Sequence, residues 1–144
     1  MQLDLSHSIV GRHTEYPAAV ISNLVVRAPT GQPHSRRWEG VIDTGADLTI
    51  LPREIPEELR LARIPERVRV WSYHKDEPPR EVDVFYVRLV LPTGLEVMTK
   101  AIVFQRRNIL IGRSALARMR LMIDWPANRW SLEEASLPRT PAQP

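Results

Sequence analysis

The sequence contains no cysteine, and this absence excludes several kinds of site at once. Without thiols, the chain cannot form a disulfide framework, a thiolate metal site or a cysteine nucleophile. The absence also leaves the redox state of the compartment open, because cysteine usage is the feature that reports it.

An excess of charge of one sign is also missing. The 20 basic and 17 acidic residues leave a formal net charge of only +3. Most of the basic residues are arginines, and they are adjacent only at 36–37 and 106–107. A basic stripe or patch is the usual mark of nucleic-acid binding, so we expect no nucleic-acid partner.

Long apolar runs and metal-ligand spacings are absent as well. No run is long enough for a signal sequence or a membrane span, and residues 1–10 are too polar for either. We therefore expect a cytoplasmic protein with no membrane partner. The four histidines are spread out, with none paired at helical spacing with an acid, so we expect no metal and no cofactor.

Most segments of the chain between its turns are short, apolar and rich in β-branched residues, which is typical of strands. The 144 residues suit a single domain. We predict an all-β closed barrel or sandwich with one short C-terminal helix over 113–119, and a helical turn near 57–62. The predicted strands cover 18–27, 38–42, 48–51, 67–73, 81–91, 95–104, 109–111, 120–124 and 129–132. We predict an N-terminal arm over 1–17, a domain over 18–132 and a disordered tail over 133–144.

One segment combines a carboxylate with a tight turn. Asp43, Thr44 and Gly45 lie between two apolar strands. Gly45 permits a backbone geometry that a side chain would block, and the Thr44 hydroxyl can lock the loop by hydrogen bonding. An isolated Asp-Thr-Gly is usually an ordinary β-turn. The apolar frame on both sides favours a carboxylate that is held in place for chemistry.

A second motif follows much later in the chain. The apolar segment 109–111 ends at Gly112 and is followed by Arg113 and helix-forming residues. Between the two motifs, the predicted strands 67–73 and 81–91 form a hairpin that we call the projecting hairpin. Its polar connector, residues 74–80, contains no glycine.

These two motifs, in this order and with this hairpin between them, resemble the retropepsin family of retroviral-type aspartic proteases and their bacterial and cellular relatives. The matching residues are Asp43-Thr44-Gly45-Ala46-Asp47 and Ile109-Leu110-Ile111-Gly112-Arg113. The resemblance covers roughly residues 18–132. It implies a retropepsin-like β-barrel that corresponds to one half of an acid-protease structure. It also implies an aspartic endopeptidase that hydrolyses polypeptides.

The resemblance also implies roles for individual residues. Asp43 would be the catalytic aspartate, and Thr44 would make hydrogen bonds between two subunits. Gly45 would contact the substrate backbone, and Ala46 belongs to the same loop. Asp47 and Arg113 would form a buried ion pair beside the site. The candidates for substrate contacts are Trp71, Tyr73, His74 and Ile111.

The chain carries only one Asp-Thr-Gly motif, whereas the reaction needs two carboxylates. Asp76, Asp83 and Asp124 are not followed by a glycine in a tight turn between apolar strands. The second carboxylate would therefore come from another copy of the chain, and we predict a homodimer with its site on the two-fold axis.

The projecting hairpin is where this sequence departs from the family, because retroviral flaps have a glycine-rich tip and this one carries Pro78 and Pro79. The alternative to an enzyme is a non-catalytic retropepsin-like dimer that binds extended polypeptide. The hairpin over 120–132, with Trp125 and Trp130, is a candidate for the dimer interface. Packing of both tryptophans in the core is the equal alternative.

Overall fold

In a computed structural model of the chain, the described residues are 19–71, 76–127 and 129–135, together with the backbone of 7–8. Within these ranges the chain forms ten strands and two short helices. The strands are β1 (His7–Ser8), β2 (Val20–Arg27), β3 (His34–Ile42), β4 (Thr49–Pro52), β5 (Arg63–Val70), β6 (Arg80–Val90), β7 (Glu96–Phe104), β8 (Ile109–Ile111), β9 (Met119–Asp124) and β10 (Arg129–Glu134). The helices are α1 (Glu54–Leu59) and α2 (Arg113–Leu116).

The larger sheet closes into a barrel. Its strand order is β2-β3-β8-β4-β7-β6-β5, and an additional pairing of β2 with β6 joins the two sides. Six strands therefore form a closed ring, and β5 extends the sheet beyond β6. Closure removes most of the exposed strand edges that would otherwise pair with other chains. The predicted all-β closed fold is confirmed.

The smaller sheet has three strands, in the order β1-β10-β9. It packs on the barrel through Trp130 and Leu132, which are 2% and 1% exposed and belong to the same core cluster as the barrel residues. Burying side chains of this size stabilises the fold by roughly 1.5–3 kcal/mol each. Trp130 is thus a core residue, which decides between the two roles considered for it.

The two helices differ from the predicted ones in position. Helix α1 begins at Glu54 rather than near residue 57, and Pro56 lies in its first turn, where a missing backbone N–H costs nothing. Arg60 adopts a left-handed conformation and ends the helix. Helix α2 ends at Leu116 instead of continuing to 119, because Met119 begins a strand that pairs with β10.

Strand β5 begins at Arg63, four residues earlier than predicted, and therefore includes Pro65. The strand lies at the edge of the sheet, so the proline removes no hydrogen bond that a neighbouring strand needs. A register shift between Ile64 and Arg67 bends this edge.

The ends of the chain differ in part from the predicted arm and tail. Strand β1 lies within the predicted arm and pairs with β10. Strand β10 includes Glu133 and Glu134, which the sequence pattern assigned to the tail, and Glu133 accepts a hydrogen bond from Arg120 on β9 at 3.2 Å. The rest of the predicted arm and tail lies outside the described residues, except for Ala135. In the described part of the chain, no helix is long and apolar enough to cross a membrane.

Candidate active site

Asp43 lies where β3 leaves the barrel, beside the end of β8. The two strands are parallel neighbours, with Ile42 opposite Ile111. The Asp43 N–H donates to the Ile111 carbonyl at 2.9 Å, which continues the ladder by one residue. The position of the Asp43 backbone is therefore set by buried strands and not by the turn alone.

The Asp43 carboxylate is half-buried and forms the turn itself. Its Oδ1 accepts the Gly45 N–H at 2.9 Å, an arrangement in which an aspartate side chain closes a local turn. The Asp43 carbonyl accepts the Ala46 N–H at 3.3 Å. A Cβ at Gly45 would lie 3.2 Å from Asp43 Oδ1, so glycine leaves room for the carboxylate.

The second sequence motif binds this loop through backbone hydrogen bonds. The N–H of Arg113 donates to the Ala46 carbonyl at 2.8 Å, and the N–H of Ser114 donates to the Asp47 carbonyl at 2.9 Å. The two motifs that are far apart in sequence are thus joined directly, backbone to backbone. Their contact is what the resemblance implied but could not show.

Gly112 allows this close approach. A Cβ on Gly112 would lie 2.2 Å from the Leu48 carbonyl oxygen and 3.0 Å from that of Ala46. The backbone of Gly112 has φ −91°, which any residue can adopt. The glycine is required by packing against the loop and not by an unusual backbone conformation.

A chain of buried hydroxyls supports the loop. Thr49 Oγ1 accepts the Gly112 N–H at 3.3 Å and lies 3.3 Å from Thr99 Oγ1. Thr99 Oγ1 is in turn 2.7 Å from the Ser114 hydroxyl. Thr49 is 0% and Thr99 2% exposed. Sequence reasoning missed Thr49 and Thr99, because a threonine in a strand pattern does not reveal which side chain it will meet.

Replacing Thr49 with valine is expected to lower the free energy of unfolding by about 1–3 kcal/mol, because the buried Gly112 N–H loses its acceptor. Chemical denaturation of the purified variant measures the loss. Thr49→Ser retains the hydroxyl and is the matched control, with a smaller loss expected. Equal stability of the valine variant and the wild type would contradict a supporting role for this hydroxyl.

The predicted ion pair is present, but it is not buried. Arg113 Nη2 contacts Asp47 Oδ1, and the two side chains are 58% and 81% exposed. The prediction of a buried pair is therefore wrong for the single chain, because the start of α2 lies at the surface. Thr44 is exposed too, and its hydroxyl has no hydrogen-bond partner among the described residues.

The structure describes two of the four predicted substrate contacts, Trp71 and Ile111. Trp71 is 73% exposed at the end of β5, whereas Tyr73 and His74 lie outside the described residues. Ile111 is 2% exposed and packs in the barrel core, so the structure does not support it as a substrate contact. Successive side chains on a strand face opposite sides of the sheet, so Leu110 lies on the face away from the core cluster that contains Ile111.

An apolar row crosses the sheet on the face opposite the core. Residues that lie directly opposite each other on neighbouring strands share a face. The register gives one such row across four strands: Val41, Leu110, Ile50 and Ile102. Val84 on β6 lies on the same face, because Phe85 pairs with Ala101 on the other face. Leu110, Ile102 and Val84 are buried but do not belong to the main core cluster. Asp43 follows Val41 by two residues and thus continues on the same face.

This arrangement places one carboxylate at the end of an apolar wall. A carboxylate in such a position can accept or donate a proton, provided that a reacting group comes within hydrogen-bond distance. Among the described residues, no group of three or more acidic or histidine side chains is arranged to hold a metal ion.

Comparisons with known proteins agree with this geometry at the level of the fold. No family model matches the chain. No curated protein matches it by sequence either. Among solved structures, a retropepsin-like aspartic protease from Rickettsia conorii is similar, with 17% identity over 84% of this chain and 96% of that chain and a TM-score of 0.50.

Two viral structures are also similar. The Simian Foamy Virus (mac) protease has 18% identity over 66% of this chain and 91% of that chain, with a TM-score of 0.46. The foamy viral protease-reverse transcriptase has 17% identity over 68% of this chain, a TM-score of 0.48, and only 12% of its own length covered. From its closed barrel and its similarity to the Rickettsia protein, we conclude that the chain has the retropepsin-like fold of aspartic proteases.

Proposed function

We propose that this protein is an aspartic endopeptidase that acts as a homodimer, with one Asp43 from each subunit. The observation that carries the proposal is the attachment of the Asp43 loop. Asp43 bonds to β8 at 2.9 Å, and Ala46 and Asp47 bond to the start of α2 at 2.8 and 2.9 Å. A loop attached in this way holds its carboxylate in one place, as a catalytic acid or base requires.

In the proposed reaction, the two Asp43 carboxylates share one proton and hold a water between them. The ionised carboxylate removes a proton from the water as the water attacks the scissile carbonyl carbon. The protonated carboxylic acid donates its proton to the carbonyl oxygen. In the second step, the carboxyl that took the proton from water donates it to the amide nitrogen, and the other, now ionised, carboxylate removes a hydroxyl proton from the tetrahedral intermediate. The C–N bond then breaks, which releases the amine and the carboxylic acid and leaves one proton on the pair.

Electrostatic repulsion explains why the pair would retain one proton. Two carboxylates about 3 Å apart repel each other by roughly 5 kcal/mol at an effective dielectric constant near 20. That repulsion opposes ionisation of both groups at mildly acidic pH. The two ionisations would then belong to the pair and not to either residue alone.

The apolar row suggests the kind of polypeptide that would bind. An extended substrate beside Asp43 would place side chains against Val41 and Ile50, the half-buried members of the row. Burial of apolar substrate side chains there contributes roughly 25 cal/mol per Å² of area removed from water. We therefore propose apolar side chains next to the scissile bond.

The outer face of the β9–β10 hairpin is the part of the proposed dimer interface that the structure supports best. Met122 and Trp125 are 61% and 55% exposed, and Met122 lies in the middle of this face, opposite Ser131. In the part of the chain that the structure describes, strand β9 is also an edge of its sheet and pairs only with β10. Exposed large apolar side chains on a free edge are typical of an interface between chains.

Met122→Glu is expected to raise the dissociation constant of the dimer about tenfold or more, because burial of an unpaired carboxylate is costly. Analytical ultracentrifugation over a concentration series measures the effect. Tyr86→Glu is the matched control, because Tyr86 is 38% exposed on the barrel strand β6, which pairs with β2, β5 and β7 and not with this hairpin. Equal dissociation constants for the wild type and Met122→Glu would place the interface elsewhere.

Cleavage itself is tested by incubating the purified protein with a peptide library at about pH 4 to 6 and again near neutrality. Cleavage that a pepstatin-type inhibitor blocks would support the enzyme. Tight binding of peptides without cleavage, at every pH tested, would favour the non-catalytic dimer instead.

A further inference from the structure

The outer part of the projecting hairpin stands apart from the barrel. Strand β6 pairs with β7 only from Phe85 onward, whereas residues 80–84 pair with β5 alone. This two-stranded part has two faces, and each carries a distinct set of side chains.

One face is apolar and continues the row beside Asp43. Val68 lies opposite Val82, and Val82 precedes Val84 by two residues, so all three share a face. Val68 and Val82 are half-buried, although β7 does not cover them. The next pair along the hairpin is Val70 with Arg80, so the same face ends in a guanidinium group.

The opposite face carries charges that compensate one another. Arg67 Nη1 lies 3.3 Å from Glu81 Oε2, and Arg67 Nε lies 3.6 Å from Asp83 Oδ1. Arg63 reaches Asp83 as well, at 3.7 Å. Each of these arginines therefore has a carboxylate partner on its own face of the hairpin.

Arg80 has no such partner. It is exposed, and in the described part of the chain no carboxylate lies within ion-pair distance of its guanidinium. Glu66 on β5 is not free, because its carboxylate accepts a hydrogen bond from Lys100 Nζ at 2.8 Å. This hydrogen bond raises the pKa of Lys100.

We propose that Arg80 is a specificity residue that binds an acidic side chain of the polypeptide substrate. The proposal rests on the proposed function, in which the substrate lies against the face that Arg80 shares with Val68 and Val82. A guanidinium offers paired donors that match a carboxylate, and such charge-assisted bonds are stronger than neutral ones. The preferred substrate would then carry apolar side chains near the scissile bond and one acidic side chain that binds Arg80.

The test compares cleavage of a peptide library by the wild type, Arg80→Gln and Arg80→Glu. Matched peptides carry Glu, Gln or Lys at each position on both sides of an apolar pair. The wild type is expected to cleave the best Glu peptide about five- to tenfold faster than its Gln counterpart. Arg80→Gln is expected to lose this preference, and Arg80→Glu to reverse it in favour of Lys.

Arg69→Gln is the matched control, because Arg69 lies opposite Glu81 on the other face of the same hairpin. This variant is expected to keep the preference for Glu. The proposal is overturned if the wild type shows no preference for an acid, or if Arg80→Gln retains it.

Binding separates this proposal from the proposed function. The affinity of the Asp43→Asn protein for fluorescent Glu and Gln peptides is measured with and without Arg80→Gln. If the wild type cuts no peptide, but the Asp43→Asn protein binds the Glu peptide more tightly than the Gln peptide and loses this preference with Arg80→Gln, the endopeptidase is refuted and the role of Arg80 is retained. Equal affinities in both proteins would refute the role of Arg80 alone.

Discussion

Asp43→Asn is expected to lower the rate of peptide cleavage by about 10²–10⁴-fold while the fold is retained. Asparagine keeps an oxygen that can accept the Gly45 N–H, a bond that measures 2.9 Å in the wild type. The turn is therefore preserved. An amide cannot take a proton from water or donate one to a carbonyl oxygen, so the chemistry is lost without a change in structure.

Steady-state cleavage of a peptide that the wild type cuts measures the loss, and circular dichroism with thermal unfolding verifies the fold. Asp83→Asn is a suitable control, because Asp83 lies on the projecting hairpin and pairs with Arg63 and Arg67 at the surface. Unchanged cleavage by a folded Asp43→Asn protein would refute the proposed function.

Mixing the two proteins tests whether one aspartate comes from each subunit. A ninefold excess of Asp43→Asn chains, after subunit exchange, is expected to leave about a tenth of the activity of the wild-type chains, because few of them then find a wild-type partner. If a single chain carried the whole site, the added variant would leave the activity unchanged.

Gly112→Ala is expected to lower the free energy of unfolding by about 2 kcal/mol or more, and to lower activity with it. The added Cβ would lie 2.2 Å from the Leu48 carbonyl oxygen and 2.5 Å from its carbon. Both atoms belong to the backbone and cannot rotate away, so the Asp43 loop must move. That movement would displace the carboxylate as well as weaken the packing.

Gly45→Ala is the instructive comparison, because its Cβ would meet only Asp43 Oδ1, at 3.2 Å. We expect this variant to unfold with nearly wild-type stability but to cleave more slowly. Denaturation curves and cleavage rates for both variants separate the two effects. A Gly112→Ala protein as stable as Gly45→Ala would show that the loop does not depend on the close contact between Gly112 and Leu48.

Much of the fold could be predicted from local pattern. The β-branched segments predicted most of the strands, because alternation and turn residues act over a few positions. The helices were less predictable. A proline such as Pro56 usually marks a break in a helix pattern, although in the first turn it is compatible with α1. Residues 7–8 offered no strand pattern, because β1 forms only by pairing with β10.

The sequence by itself determined which chemistry we propose for this protein. It placed one aspartate on a tight turn between apolar strands, and it contains no second copy, so a two-carboxylate site needs a second chain. The tertiary structure decided which side chains share a face with that aspartate. Leu110 and not Ile111 lies on the same face as Asp43, because successive side chains along a strand point to opposite faces of the sheet.

The tertiary structure also decided what holds the loop. Thr49 lies far from Gly112 and Thr99 along the chain, and the contact among them exists only after the strands have paired. The same applies to Arg80, whose place on the apolar face follows from its register with Val70. Contacts between distant residues depend on how the strands pair, and no local pattern in the sequence records that pairing.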